Sequence, residues 1–305
     1  GVQVELPPRV RGRSPFWKDH DIARMPVVAQ HLKEEMFSVA QRYHAAAQKN
    51  RQPEDYRQAA QWYRDYLAFF PDDARAPTLS FLLAELLYEQ GSYAEAIERY
   101  EQSAYGYPLH AKSAEAGYAA LLAYDRHIGQ LAATEEKSAW RLRWVDSAQR
   151  FDEHFPTNPQ ATAALTRSAE ELFTLGDASR ALAVATRVLQ HMPPASPDQR
   201  RTAWTIQGHV HFDRAAYAEA ERAYQQALNL TPLSDEPARV KLIQEQLVLP
   251  HEGVEEEPEV GVLDLRAVAV EDALLLPFGD GRPVAGRRPS GSLAKPLSGL
   301  AAIRG

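Results

Sequence analysis

Five prolines, Pro71, Pro108, Pro156, Pro193 and Pro232, each close a stretch of helix-forming residues, and they recur at intervals of 37, 48, 37 and 39 residues. A proline lacks the interior backbone donor of a helix and clashes with the preceding turn, so each one is a stop. Ahead of each stop the same order of small and bulky residues returns. The last copy has Trp204, Gln207, Gly208 and His211, then Ala220, Tyr224 and Ala227. The second has Leu83, Ala84, Leu87 and Gly91, then Ala96, Tyr100 and Ser103. The fourth has Leu165, Ala169, Leu172 and Gly176, then Ala181, Ala185 and Val188. The first has Tyr43 and Ala47, then Ala59, Tyr63 and Tyr66, and the third has Ala120, Trp144, Ala148 and Phe151. Each copy reads as two helices and a turn. One such pair cannot bury its own apolar face, so neighbours must stack along the chain.

The residue types fit that geometry. Ala84, Ala169 and Gly208 let the two helices of a pair approach, and Ala96, Ala181 and Ala220 do so from the second helix. A bulky replacement there would overpack at a cost of about 1–3 kcal/mol. Tyr63, Tyr100 and Tyr224 are expected to fill space against the next pair. The interval of 48 implies an insertion, expected between the two helices of the third copy at Ile128 to Ser138. Val27 to Lys49 is long enough to cap the start of the stack and supply a half-repeat, and Glu236 to Leu247 is expected to cover the fifth copy.

The last copy resembles the tetratricopeptide repeat (TPR) pattern W-x2-L-G-x2-Y…A-x3-F…P, with Gln207 in place of the Leu and His211 in place of the Tyr. Five copies in register cover roughly residues 26 to 245. The resemblance implies an all-α chain: a right-handed superhelical α-solenoid of about five TPR-like helix pairs, spanning residues 26–248. Residues 1–25 read as an irregular basic segment with Pro7, Pro8 and Pro15 among Arg9, Arg11 and Arg13. The first residue is Gly1, so the chain reads as processed, trimmed or a fragment. Residues 249–305 read as a Gly/Pro-rich, mostly disordered tail: eight of the 16 glycines lie there, with six prolines and one aromatic, Phe278. One reading of that change is that the tail replaces a helical continuation through truncation or a shift of reading frame.

In this family the first helix of each pair lines a concave groove that holds an extended peptide or a partner helix. Counting from the small residue of each copy gives three rows. The first is Arg51, Tyr88, Tyr124, Phe173 and Phe212; the next is Gln52, Glu89, Asp125, Thr174 and Asp213; the third is Gln48, Glu85, Leu121, Glu170 and His209. Two readings of these rows stand. One is an acidic, aromatic trough for a basic or aromatic segment of another protein, since aromatics supply contact area and a cation–π contact adds about 0.5–2 kcal/mol. The other is aromatics packed between repeats, with the carboxylates on a solvated face.

Composition limits the alternatives. With Lys plus Arg at 34 and Asp plus Glu at 41 the net charge is −7, which disfavours nucleic-acid backbones. There is no cysteine, so disulfides, thiol catalysis and Cys-ligated zinc are excluded. No apolar run is long enough to span a membrane. His209 and His211 point about 200° apart on a helix and cannot share a metal, and His211 is expected to be a packed core histidine. His44, His154 and His191 are isolated in sequence, and Trp140 and Trp144 with Arg141 and Arg143 read as amphipathic helix. No Gly-rich phosphate loop, nucleophile elbow or zinc-protease motif is present. The expectation is therefore a non-enzymatic scaffold without cofactor or metal, binding a protein or peptide. The alternatives are a peptide-sensing regulatory module and an accessory repeat domain of a larger enzyme. The long units ending Phe70-Pro71, Tyr107-Pro108 and Phe155-Pro156 resemble those of bacterial cell-envelope TPR proteins. That resemblance implies the periplasm or envelope, with the cytoplasm as the alternative.

Overall fold

The computed structural model describes residues 25–247, all within one compact unit. The expectations for residues 1–24 and 248–305 lie outside the described residues. Eleven helices and no strand occur among the described residues. In chain order they are α1 (Pro26–Asn50), α2 (Pro53–Phe69), α3 (Ala76–Glu89), α4 (Tyr93–Tyr105), α5 (Ser113–Gln130), α6 (Thr134–His154), α7 (Ala161–Thr174), α8 (Ala178–Gln190), α9 (Pro197–Asp213), α10 (Tyr217–Leu230) and α11 (Glu236–Leu247). Each packs on its neighbours in sequence, so the chain is a TPR-like α-solenoid of five helix pairs closed by α11.

The stops fall where the prolines put them: α2, α4, α6, α8 and α10 end two or three residues before Pro71, Pro108, Pro156, Pro193 and Pro232. The turn inside a pair has its own chemistry. After α3, Gly91 sits at φ 79°, its N–H bonds the carbonyl of Tyr88, and the N–H of Ser92 bonds that of Leu87. This paired closure needs a left-handed residue. Gly176 repeats it at φ 83° after α7, and Ala215 repeats it at φ 56° after α9. Helix starts are fixed by Asp177, which accepts from the N–H of Arg180, and by a reciprocal capping box between Ser196 and Gln199 with Pro197 in the first turn.

The small residues lie where pairs are tightest. Ala84, Ala96, Ala169, Ala181 and Ala220 are fully buried, and a Cβ on Gly208 would lie 2.4 Å from the Tyr224 ring. Two expectations are corrected, and the repeat aromatics show a polar contact inside their own pair. The hydroxyls of Tyr63, Tyr100 and Tyr224 turn back to the first helix of their own pair, meeting His44, Glu85 and His209. The insertion in the third copy does not lie between the helices: only residues 131–133 separate α5 from α6, so the extra residues continue both helices. Finally, the small residue of that copy is Gly117 rather than Ala120, because a Cβ at 117 would lie 2.9 Å from the Phe151 ring. α5 thus runs thirteen residues past its small residue, where α3, α7 and α9 run five past theirs. At 1.5 Å per residue the third pair projects about 12 Å beyond its neighbours.

Candidate functional site

The first helices α3, α5, α7, α9 and α11 make one face, each touching the next through side chains. Arg126 of α5 donates to the Tyr88 hydroxyl of α3 at 3.4 Å. Arg167 of α7 grips Asp125 of α5 through two bonds of 2.6 and 2.9 Å. Phe173 of α7 stacks on His209 of α9 at 5.5 Å and 22°. His209 in turn lies 3.9 Å from Glu245 of α11.

On this face one position per pair forms a polar slot, lying directly after the small residue in the second to fifth pairs and after Tyr43 in the first. His44, Glu85 and His209 fill it in the first, second and fifth pairs, each with a tyrosine hydroxyl on its side chain. The separation is 15 residues in the second and fifth pairs but 19 in the first, so the first hairpin is one helical turn longer. In the third pair the slot holds Tyr118 beside Phe151, two rings 6.1 Å apart. In the fourth it holds Glu170, and the residue 15 further on is the buried Ala185, which has no hydroxyl to give.

Burial raises the carboxyl of Glu85 above its ordinary range, against the hydrogen bond from Tyr100. Burial pushes Glu170 up to about 7, helped by the adjacent Glu171 and opposed by Arg167. Glu245, whose two oxygens have no hydrogen-bond partner among the described residues, is also pushed up to about 7 by burial. His44 goes the other way, to about 4, because burial disfavours its cation.

The residues expected to line a groove separate into two groups. Tyr88, Phe173 and Phe212 are partly exposed, with Glu89, Asp213 and Thr174 exposed beside them. Tyr88 and Phe212 meet Tyr93 and Tyr217 of the following helix edge-on, at 5.2 and 5.8 Å. Glu89 stands beside Tyr56, whose hydroxyl is raised by burial and then by that carboxylate. Glu85, Glu170 and His209 occupy slots. Tyr124 and Arg51 do not belong to the row. Tyr124 is 2% exposed and its hydroxyl donates to Glu101 at 3.2 Å, because the third copy is counted from Gly117 and not from Ala120. Arg51 is an exposed left-handed cap at φ 55° beyond α1, because the longer first hairpin moves the row back one turn. Asp125 is partly buried and held by Arg167.

Two features were not visible in the sequence. Asp152 and His191 are buried partners from α6 and the end of α8: His191 Nε2 lies 2.8 Å from Asp152 Oδ1, and its Nδ1 lies 2.8 Å from the Pro193 carbonyl. Arg187 donates to the other Asp152 oxygen at 2.8 Å. These residues are 39 positions apart and carry no motif. His211 is not packed in the core; it lines an open cavity of about 430 Å³ with Trp204, Gln207 and Arg222. Trp144 is buried as expected, with the Arg167 guanidinium 4.1 Å from its ring, whereas Trp140 is partly exposed between Arg143 and His127. Among the described residues no group of three His, Cys, Asp or Glu side chains could hold a metal, and no helix is long and apolar enough to cross a membrane.

No protein-family model matches the chain, and no curated protein does. Among solved structures, TTC0263, a thermophilic TPR protein of Thermus thermophilus, is similar at 17% identity and a TM-score of 0.34, covering 68% of this chain and 100% of that one. BtubC (BKLC) from P. vanneervenii is similar at 17% identity and a TM-score of 0.32, covering 78% of this chain and 88% of that one.

Proposed function

We propose that this TPR-like stack is a protein-interaction scaffold whose first-helix face takes an extended peptide or partner helix rich in basic or aromatic side chains. The observation that carries it is the row Tyr88, Phe173 and Phe212, partly exposed on one face and alternating with Glu89, Glu170 and Asp213. Rings that keep open area beside carboxylates suit cationic and aromatic ligands, whose ring contacts are worth about 0.5–2 kcal/mol each. The row contains no Lys or Asn, which disfavours a C-terminal carboxylate as the ligand. An envelope or periplasmic setting belongs to the same proposal and rests on the aromatic–proline ends of the repeats; fractionation of the native host tests it.

The test of the binding face compares paired substitutions. Tyr88→Ala with Phe173→Ala should abolish capture of basic, aromatic peptides on an array while lowering Tm by no more than a few degrees. Tyr124→Ala should instead cost about 3–5 kcal/mol of stability, as a buried ring does. Equal losses of stability from both would show that Tyr88 and Phe173 are also core, and would end the proposal.

A further inference from the structure

The polar slot has a defined internal chemistry in four pairs and departs from it in the fourth. His44, Glu85 and His209 each meet a tyrosine hydroxyl, and Tyr118 meets the Phe151 ring. Glu170 has the same register, is partly buried, and is followed 15 residues on by the buried Ala185, where the second and fifth pairs place a tyrosine. Among the described residues, no side chain donates to its carboxyl. The cations nearby are committed elsewhere: Arg167 holds Asp125 of α5 and lies 3.6 Å from Glu171, and Arg141 of α6 bonds Glu171 at 2.5 Å. From α9 the facing group is His209, stacked on Phe173 and bonded through Nδ1 to Tyr224. A half-desolvated carboxylate without a donor is unfavourable, and an external N–H donor relieves it most when that donor is charged.

We infer that Glu170 is the residue that selects a cationic side chain, arginine or lysine, of the bound segment, its methylenes lying on the exposed part of Phe173. This rests on the first-helix face being the binding surface. The pKa of about 7 then gives the site a pH signature. The free carboxyl is largely protonated below neutrality, and seating a cation expels the proton. Affinity for a cationic ligand should therefore rise about tenfold between pH 6 and pH 8, following the ionised fraction.

The probe is a fluorescently labelled peptide of four Arg-Tyr repeats, with its citrulline-for-arginine counterpart as the neutral isostere, read by anisotropy at pH 6, 7 and 8. The wild-type protein should bind the arginine peptide about tenfold or more tighter than the citrulline one at pH 8. Glu170→Gln should erase both that preference and the pH dependence. Glu98→Gln, an equal charge loss at an exposed position on α4, should leave both in place. If Glu170→Gln and Glu98→Gln weaken binding equally, only net charge is being read and the inference falls. If the citrulline peptide binds as well as the arginine one, and Phe173→Ala still abolishes binding, the inference falls while the binding face stands. If neither peptide binds the wild-type protein, the binding face itself fails, and the inference with it.

Discussion

Replacing a helical glycine by alanine normally stabilises a helix, and this chain contains two glycines at which the same change should have opposite signs. A Cβ at Gly129, near the end of α5, would meet nothing within 4 Å, so Gly129→Ala should gain about 0.5–1 kcal/mol from helix propensity alone. A Cβ at Gly208 would lie 2.4, 2.5 and 2.9 Å from three carbons of Tyr224. Carbon pairs prefer about 3.5–4.0 Å, so the ring must retreat by an ångström or more. It has nowhere to go: Tyr224 is 2% exposed and its hydroxyl is held by His209 at 2.9 Å. Overpacking of this kind costs about 1–3 kcal/mol, and the propensity gain offsets only part of it. Gly208→Ala should therefore be about 1–2 kcal/mol less stable than wild type, and about 2–3 kcal/mol less stable than Gly129→Ala. Urea melts followed by helical circular dichroism measure both. Tyr224→Ala in the Gly208→Ala background should recover the overpacking part as a coupling energy. Equal stabilisation by the two alanines would show that the close approach at Gly208 does not exist.

Two further outcomes follow from the backbone and from charge. Ala215 holds a left-handed φ of 56° in the turn that Gly91 and Gly176 make elsewhere, a conformation that costs an L-residue roughly 1–2 kcal/mol; Ala215→Gly removes that cost, is partly offset by glycine's larger entropy loss on folding, and should stabilise the protein by about 0.5–1 kcal/mol net. Glu170 and Glu245, both raised from 4.5 to about 7, keep protons in the folded state that the unfolded chain has lost, so their contribution is fully present below about pH 4.5 and is lost as pH rises to about 7. After allowance for partial exposure, Glu170 accounts for about 2 kcal/mol of that loss; denaturant melts at pH 5 to 8 should show it, and Glu170→Gln should flatten the slope by its share.

Pair number, helix ends and the burial of Ala84, Ala169 and Gly208 were legible in the sequence because prolines and small residues act locally. A stop or a close approach is enforced within one or two turns, so its residue type shows directly. The face was harder to read because its register depends on hairpin length, and helix can absorb extra residues without a composition signal. Nothing in residues 128–138 distinguishes a loop from two continued helices, and counting from Ala120 instead of Gly117 carried Tyr124 from the core onto the surface. The first hairpin misled in the same way, and Arg51 fell into a turn. The Asp152–His191 contact was not legible at all, since a pairing across 39 residues leaves no local trace.

The two faces of the stack differ in how they spend charge, and this difference bears on what each can do. Second helices are tied to one another by arginine. Arg64 of α2 bonds Glu95 of α4, Arg180 of α8 bonds Asp146 of α6, and Arg187 of α8 reaches both Asp152 and Glu153. Such pairs are individually weak where exposed, but they keep Arg64, Arg180 and Arg187 on that face. First helices are joined mainly by rings and by Arg126 and Arg167, both engaged with neighbours, and Glu85, Glu89, Glu170, Asp213 and Glu245 lie on or beside the face. Carboxylates, Glu89 and Asp213 among them, thereby stand beside the most open aromatics. Complementary potential of this kind sets the rate of encounter and the choice of partner more than the final affinity. Association with a basic partner should therefore slow steeply as salt rises, whereas dissociation, governed by ring contacts at Phe173 and Tyr88, should change little.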